Sequence, residues 1–82
     1  MNEIVNEIEV TIKNAIPDAT VLVKDPHNDG QHFEAMVISA QFEGLSLVKQ
    51  HQLVMKPLTE HFKERVHALA LKTLTPAQWE RS

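Results

Sequence analysis

The sequence predicts a small α+β domain, one unit over residues 1–82, in the order α-β-β-α-β with a short closing helix, a three-stranded sheet and the helices on one of its faces. Three observations lead there. The hydrophobic period is helical before Pro17 and alternating after Thr20; it is helical again from Leu47 and returns to alternation after Glu64. No repeat, low-complexity tract or linker interrupts that order. A chain of 82 residues buries roughly 60–65% of its unfolded surface, which is enough for one compact core and no more.

In the first segment Ile4, Val5, Ile8, Ile12, Ala15 and Ile16 share a helical face, with Glu3, Glu7 and Glu9 early and Lys13 late, as the helix dipole favours. Pro17 stops that helix. Thr20–Lys24 and His32–Ser39 are β-branched and apolar runs, and the turn-forming DPHNDG between them predicts a hairpin. Ala40–Leu45 leads to the central helix. Gly44 lets the chain bend, Ser46 supplies an N-cap hydroxyl, and Leu47, His51, Val54, Leu58 and Phe62 make an inward stripe. Pro57 cannot donate to the carbonyl of Leu53, so a kink is expected between them. After Glu64, Val66, Ala68 and Ala70 alternate with His67, Leu69 and Leu71, so a strand is expected with His67 at its opening. Thr75 and Pro76 form an N-cap followed by proline at the first helical position, and the turn Ala77–Arg81 would pack Trp79 back onto the domain.

Composition excludes several function classes. There is no cysteine, so disulfides, thiolate metal sites and a cysteine nucleophile are ruled out, and the fold must hold by packing, as suits a reducing cytoplasm. No apolar run approaches the ~20 residues that span a bilayer, so no membrane partner is expected. The formal charge of −3 argues against generic attachment to polyanions. No G-x-S-x-G, H-E-x-x-H or glycine-rich phosphate loop is present, which argues against an enzyme. Asp25, His27, Asp29 and Gly30 imitate the start of a calcium loop, but the twelfth position is Met36 where a bidentate glutamate is required.

Two groups of residues remain as candidates. Lys49, Lys56 and Lys63 lie seven apart on the outer face of the central helix, with Gln52 nearby; such a stripe can follow a phosphate backbone, or be an ordinary solvated face. The five histidines each have an ordinary reading: His67 at a strand end, His27 in a turn, His32 on a strand, His51 on the apolar helix face, and His61 beside Phe62.

The residues PDA, HFE, FEGLSLVKQHQLV, RVHALALKT and TPAQW, in that order and spacing from Pro17 to Trp79, resemble the BolA family. The resemblance implies a fold similar to the type II KH topology. The G-x-x-G clamp by which KH domains grip nucleotides is missing, because the only glycines are Gly30 and Gly44. It further implies association with a monothiol glutaredoxin and a [2Fe–2S] cluster shared between the two proteins, with histidine ligation from this chain and no cofactor in the chain alone. The family's ligand histidine matches His67 in RVHAL. A second ligand falls at His27 in the variable turn or at His32 in the HF step. His51 and His61 have no such support. Members described as transcriptional regulators keep DNA binding through Lys49, Lys56 and Lys63 as the alternative. By itself the chain is expected to be a monomer or weak homodimer.

Overall fold

The computed structural model describes residues 3–27, 32–62 and 69–81. Helix α1 spans Glu3–Ala15, β1 Thr20–Lys24, β2 Phe33–Ile38, a 3-10 turn Ala40–Phe42, α2 Leu47–Phe62, β3 Leu69–Leu74 and α3 Pro76–Arg81. The predicted order holds. Strand order in the sheet is β1-β2-β3. β1 and β2 are the expected antiparallel hairpin, Thr20 opposite Ile38 and Lys24 opposite Glu34. β2 and β3 are parallel, Phe33 opposite Leu69 and Ile38 opposite Leu74. A parallel neighbour needs a crossover, and α2 supplies it.

Strand alternation divides the sheet into two faces. Val21, Phe33, Ala35, Val37 and Thr73 point inward and are buried; Ile8, Ile12 and Ile16 of α1 and Val54, Leu58 and Phe62 of α2 cover them. Both long helices therefore lie on one face. The inward positions of α2 are Gln50, Val54, Leu58 and Phe62, four residues apart. This corrects the expected stripe at its start: Leu47, in the first turn, is 62% exposed, and His51 is only half-buried, while Gln50 takes the inward position between them. Ala15 likewise faces solvent at the end of α1.

Gln50 is a polar residue in a core position, and its groups are all satisfied. Its Nε2 donates to the carbonyls of Phe42 (3.3 Å) and Leu45 (3.0 Å), and its Oε1 accepts from Thr73 Oγ1 (2.7 Å). One side chain thus ties the loop before α2 to β3. Such a buried bridge favours one placement of helix on strand, since any other leaves polar groups unpaired.

The helix ends follow the local chemistry. Gly44 takes φ +81°, a left-handed conformation suited to glycine. Ser46 Oγ accepts from Lys49 N (3.3 Å), as expected of an N-cap. α2 continues through Pro57 to Phe62, and Leu53, whose carbonyl loses that donor, lies on the exposed side where water can replace it. Thr75 and Gln78 cap α3 reciprocally: Gln78 N donates to Thr75 Oγ1 (3.2 Å) and Thr75 N to Gln78 Oε1 (2.8 Å). Trp79 packs back less fully than expected, remaining 47% exposed on a helix of six residues that runs beside β3.

Asp18, in the turn between α1 and β1, holds that turn to the exit of β2. Its carboxylate accepts from Ser39 Oγ (2.9 Å to each oxygen), Gln41 Nε2 (2.9 Å) and the amide of Ala40 (3.1 Å). The Ser39 hydroxyl, above all, holds the Asp18 carboxyl below its ordinary value; partial burial opposes this, and Gln41 and Ala40 reinforce it. A carboxylate with a depressed folded-state pKa stabilises above its unfolded pKa of about 3.9 and loses that contribution as pH falls through the folded value. Asp18→Asn should therefore cost about 1 kcal/mol at neutral pH, mostly from hydrogen bonds because the group faces solvent. In thermal melts from pH 6 down to pH 2 the gap between wild type and variant should be full above about pH 4 and close below it. A gap independent of pH would show that the carboxylate charge contributes nothing.

Candidate metal centre

β1 ends at Lys24 and β2 begins at Phe33, so His27 and His32 stand on the two sides of the hairpin connection. Their rings meet edge to face, with centroids 5.3 Å apart and planes at 85°. Both residues are exposed. Sequence reasoning treated them as alternatives; the hairpin brings them to one place. Leu69, the first described residue of β3, lies opposite Phe33, so the third strand starts beside this same end of the sheet. His67 precedes Leu69 by two positions and lies outside the described residues, as does Lys63.

Neutral imidazole is a ligand for iron, zinc and copper, so the donor type suits an iron site. Among the described residues no group of three or more His, Asp or Glu side chains is gathered to hold a metal. Two imidazoles do not complete a mononuclear site of three or four protein ligands. They do fit a group whose other ligands come from a second protein. Of the remaining histidines, His51 is half-buried on α2, and His61 is exposed with its ring against Phe62 at 5.0 Å. Neither joins the pair.

The family model for BolA-like proteins matches residues 2–78. The chain belongs to the BolA family. Among curated relatives of this BolA-family chain, the acid stress protein IbaG of Escherichia coli K12 is 39% identical over 77 residues, covering 93% of this chain and 88% of that protein. The DNA-binding transcriptional regulator BolA of Haemophilus influenzae is 32% identical over 66 residues, covering 80% of this chain and 64% of that one. The solution structure of mouse BolA1 superposes with a TM-score of 0.82 at 30% identity, over 99% of this chain and 72% of that chain. The α+β architecture above is the BolA fold.

A second surface was only half legible in the sequence. Lys49 and Lys56 are exposed and line one shallow groove of about 340 Å³ on the outside of α2 with Leu45, Gln52, Leu53 and Pro57. The lysine stripe was evident from its spacing. Its apolar neighbours were not, because Leu53 and Pro57 read only as the two ends of an expected kink. Exposed Leu47 and Val48 extend this apolar character toward the start of the helix.

Proposed function

We propose that this BolA-family chain is a cytoplasmic adaptor, not an enzyme, that binds a monothiol glutaredoxin and shares a [2Fe–2S] cluster with it in cluster assembly, trafficking or iron sensing. The contact between His27 and His32, at the end of the sheet where β3 begins, carries this reading. His67 would be the main ligand, with His27 or His32 as the second. When bound, the cluster supplies a one-electron centre whose potential rises when imidazole replaces thiolate. Each histidine would bind through a deprotonated ring nitrogen, and the hairpin and the start of β3 would fix the directions from which the rings approach. The apolar groove beside Lys49 and Lys56 supports a protein partner, since Leu45, Leu53 and Pro57 offer it area that a phosphate backbone would not use. The test is co-expression with a monothiol glutaredoxin: a coloured complex of the two chains should purify together. A colourless glutaredoxin fraction with no second chain would refute the reading.

A second reading is DNA binding through Lys49, Lys56 and Lys63. The exposure of Lys49 and Lys56 along one groove favours it, as does the similarity to the Haemophilus regulator. If those lysines contact phosphates, replacing all three by alanine should weaken duplex binding and flatten the slope of log K against log salt by about 2–3. An unchanged slope removes DNA from this face.

A further inference from the structure

The face of the sheet turned away from α1 and α2 carries a small groove that the proposed function does not use. The register sets its residues in rows across the three strands: Lys24, Glu34 and Ala70, then Leu22, Met36 and Lys72, then Thr20, Ile38 and Leu74. Alternation normally fills such a solvated face with polar side chains. Here Leu22 is 48% exposed while Ile38, in the third row, is buried. In the first two rows Leu22, Met36 and Ala70 floor a groove of about 330 Å³ that Lys24, Glu34 and Lys72 border. Ala70 makes the depression, because it offers only a methyl group between the longer Glu34 across the sheet and Lys72 along β3.

We propose that this groove binds a small organic acid, a molecule whose apolar body lies on Leu22, Met36 and Ala70 and whose single carboxylate meets Lys72. The make-up is that of a ligand site: an apolar lining with a few polar groups at its border, at the small end of the roughly 300–1,000 Å³ such sites occupy. At about 30 Å³ for each water-sized volume, 330 Å³ takes roughly eleven non-hydrogen atoms. Charge selects the end group. The border has two lysines and one acid, so it is locally positive in a chain whose formal charge is −3. Lys24 stands directly opposite Glu34 and offsets it, whereas Lys72 lies on the diagonal, about 8 Å from Glu34, as the cation left over beside the apolar floor. An ammonium–carboxylate contact is stronger there than in open water, because the ligand's own body displaces part of the solvent. A polyanion would have to pass Glu34, a cation would find that acid already matched by Lys24, and a neutral molecule would leave Lys72 unused. The site needs neither a cluster nor a partner chain, so it stands apart from the function proposed above.

Amide chemical shifts of the whole chain at about 0.05 mM, titrated with sodium hexanoate, octanoate and decanoate below their micelle concentrations, provide the test. Shift changes should centre on Leu22, Met36, Ala70 and Lys72, with a dissociation constant for octanoate on the order of 1 mM. Each added methylene should tighten binding by about threefold until the groove is full. Octyltrimethylammonium and 1-octanol test the end group, and octanoate should bind about fivefold or more tighter than either. Lys72→Gln should bring octanoate down to the level of octanol and leave octanol itself unchanged. Ala70→Leu, which fills the depression, should weaken every alkyl probe by about tenfold. Both positions are exposed, and circular dichroism melts report that each variant keeps its fold. Should Lys72→Gln lose stability, Lys72→Met keeps the apolar stem and gives the same comparison. Four results would overturn the proposal: no shift change up to about 20 mM probe, changes centred on Lys49 and Lys56 of α2, equally tight binding of the cation, or octanoate affinity unmoved by loss of the Lys72 charge.

Discussion

Leu58→Ala is expected to destabilise the fold by about 2–5 kcal/mol and to lower the melting temperature by roughly 10–30 °C. Leu58 has no exposed surface and belongs to the core cluster that includes the buried isoleucines of α1 and the inward residues of the sheet. The relaxation available to a domain of 82 residues is small, so most of the vacated volume should persist as a cavity. The loss is a large part of the roughly 4–12 kcal/mol expected for a domain of this size. Lys56→Ala, two residues earlier on the solvent side, should stay within about 0.5 kcal/mol. Equal shifts for the two variants would mean that α2 does not present the 50-54-58-62 face to the sheet.

In the complex with a monothiol glutaredoxin, His67→Ala should alter the visible spectrum of the shared cluster and shorten its lifetime, while leaving the melting temperature of the chain alone close to wild type. His27→Ala and His32→Ala form the comparison. Because those two rings are in contact, one should reproduce part of the His67 effect as the second ligand and the other should have a smaller effect through the position of its neighbour. His51→Ala, next to the Gln50 that reaches the far end of β3, is the control that should leave the spectrum unchanged, whatever it does to stability. A His67→Ala complex with the wild-type spectrum and lifetime would defeat the assignment of that residue, and a double variant with both His27 and His32 replaced then tells whether the hairpin pair alone is responsible.

Local signals in the sequence were read correctly where the chain decides its structure within a few residues. Thr20–Lys24 is a strand because three of its five residues, Thr20, Val21 and Val23, are β-branched, and Leu47 starts α2 because Ser46 caps it and Gly44 turns into it. The errors came from tertiary placement. A hydrophobic pattern cannot single out Gln50, although it is in phase with Val54, Leu58 and Phe62, because its burial depends on Thr73 lying within reach on a strand distant in sequence. Leu47 satisfies the pattern and is exposed all the same, because periodicity marks a face and not how far along the helix that face is covered. Asp18 and Ser39 are 21 residues apart, and nothing in either neighbourhood announces their bond. At the candidate site the residue types were legible from motif spacing, whereas the convergence of His27 and His32 required the hairpin to close.

The sheet order also sets a schedule for synthesis. β2 is the central strand, and its second neighbour, β3, is Leu69–Leu74, which follows the whole of α2 in the chain. Helix α1 and the β1–β2 hairpin rely on contacts close in sequence and can assemble while the chain is still emerging, but one edge of β2 then stays open until α2 and β3 have emerged as well. During that interval Phe33, Ala35 and Val37 lack half of their cover, and the unpaired backbone of β2 is a template for any extended segment nearby. Premature termination before Leu69 should therefore yield an aggregating fragment, not a smaller folded domain.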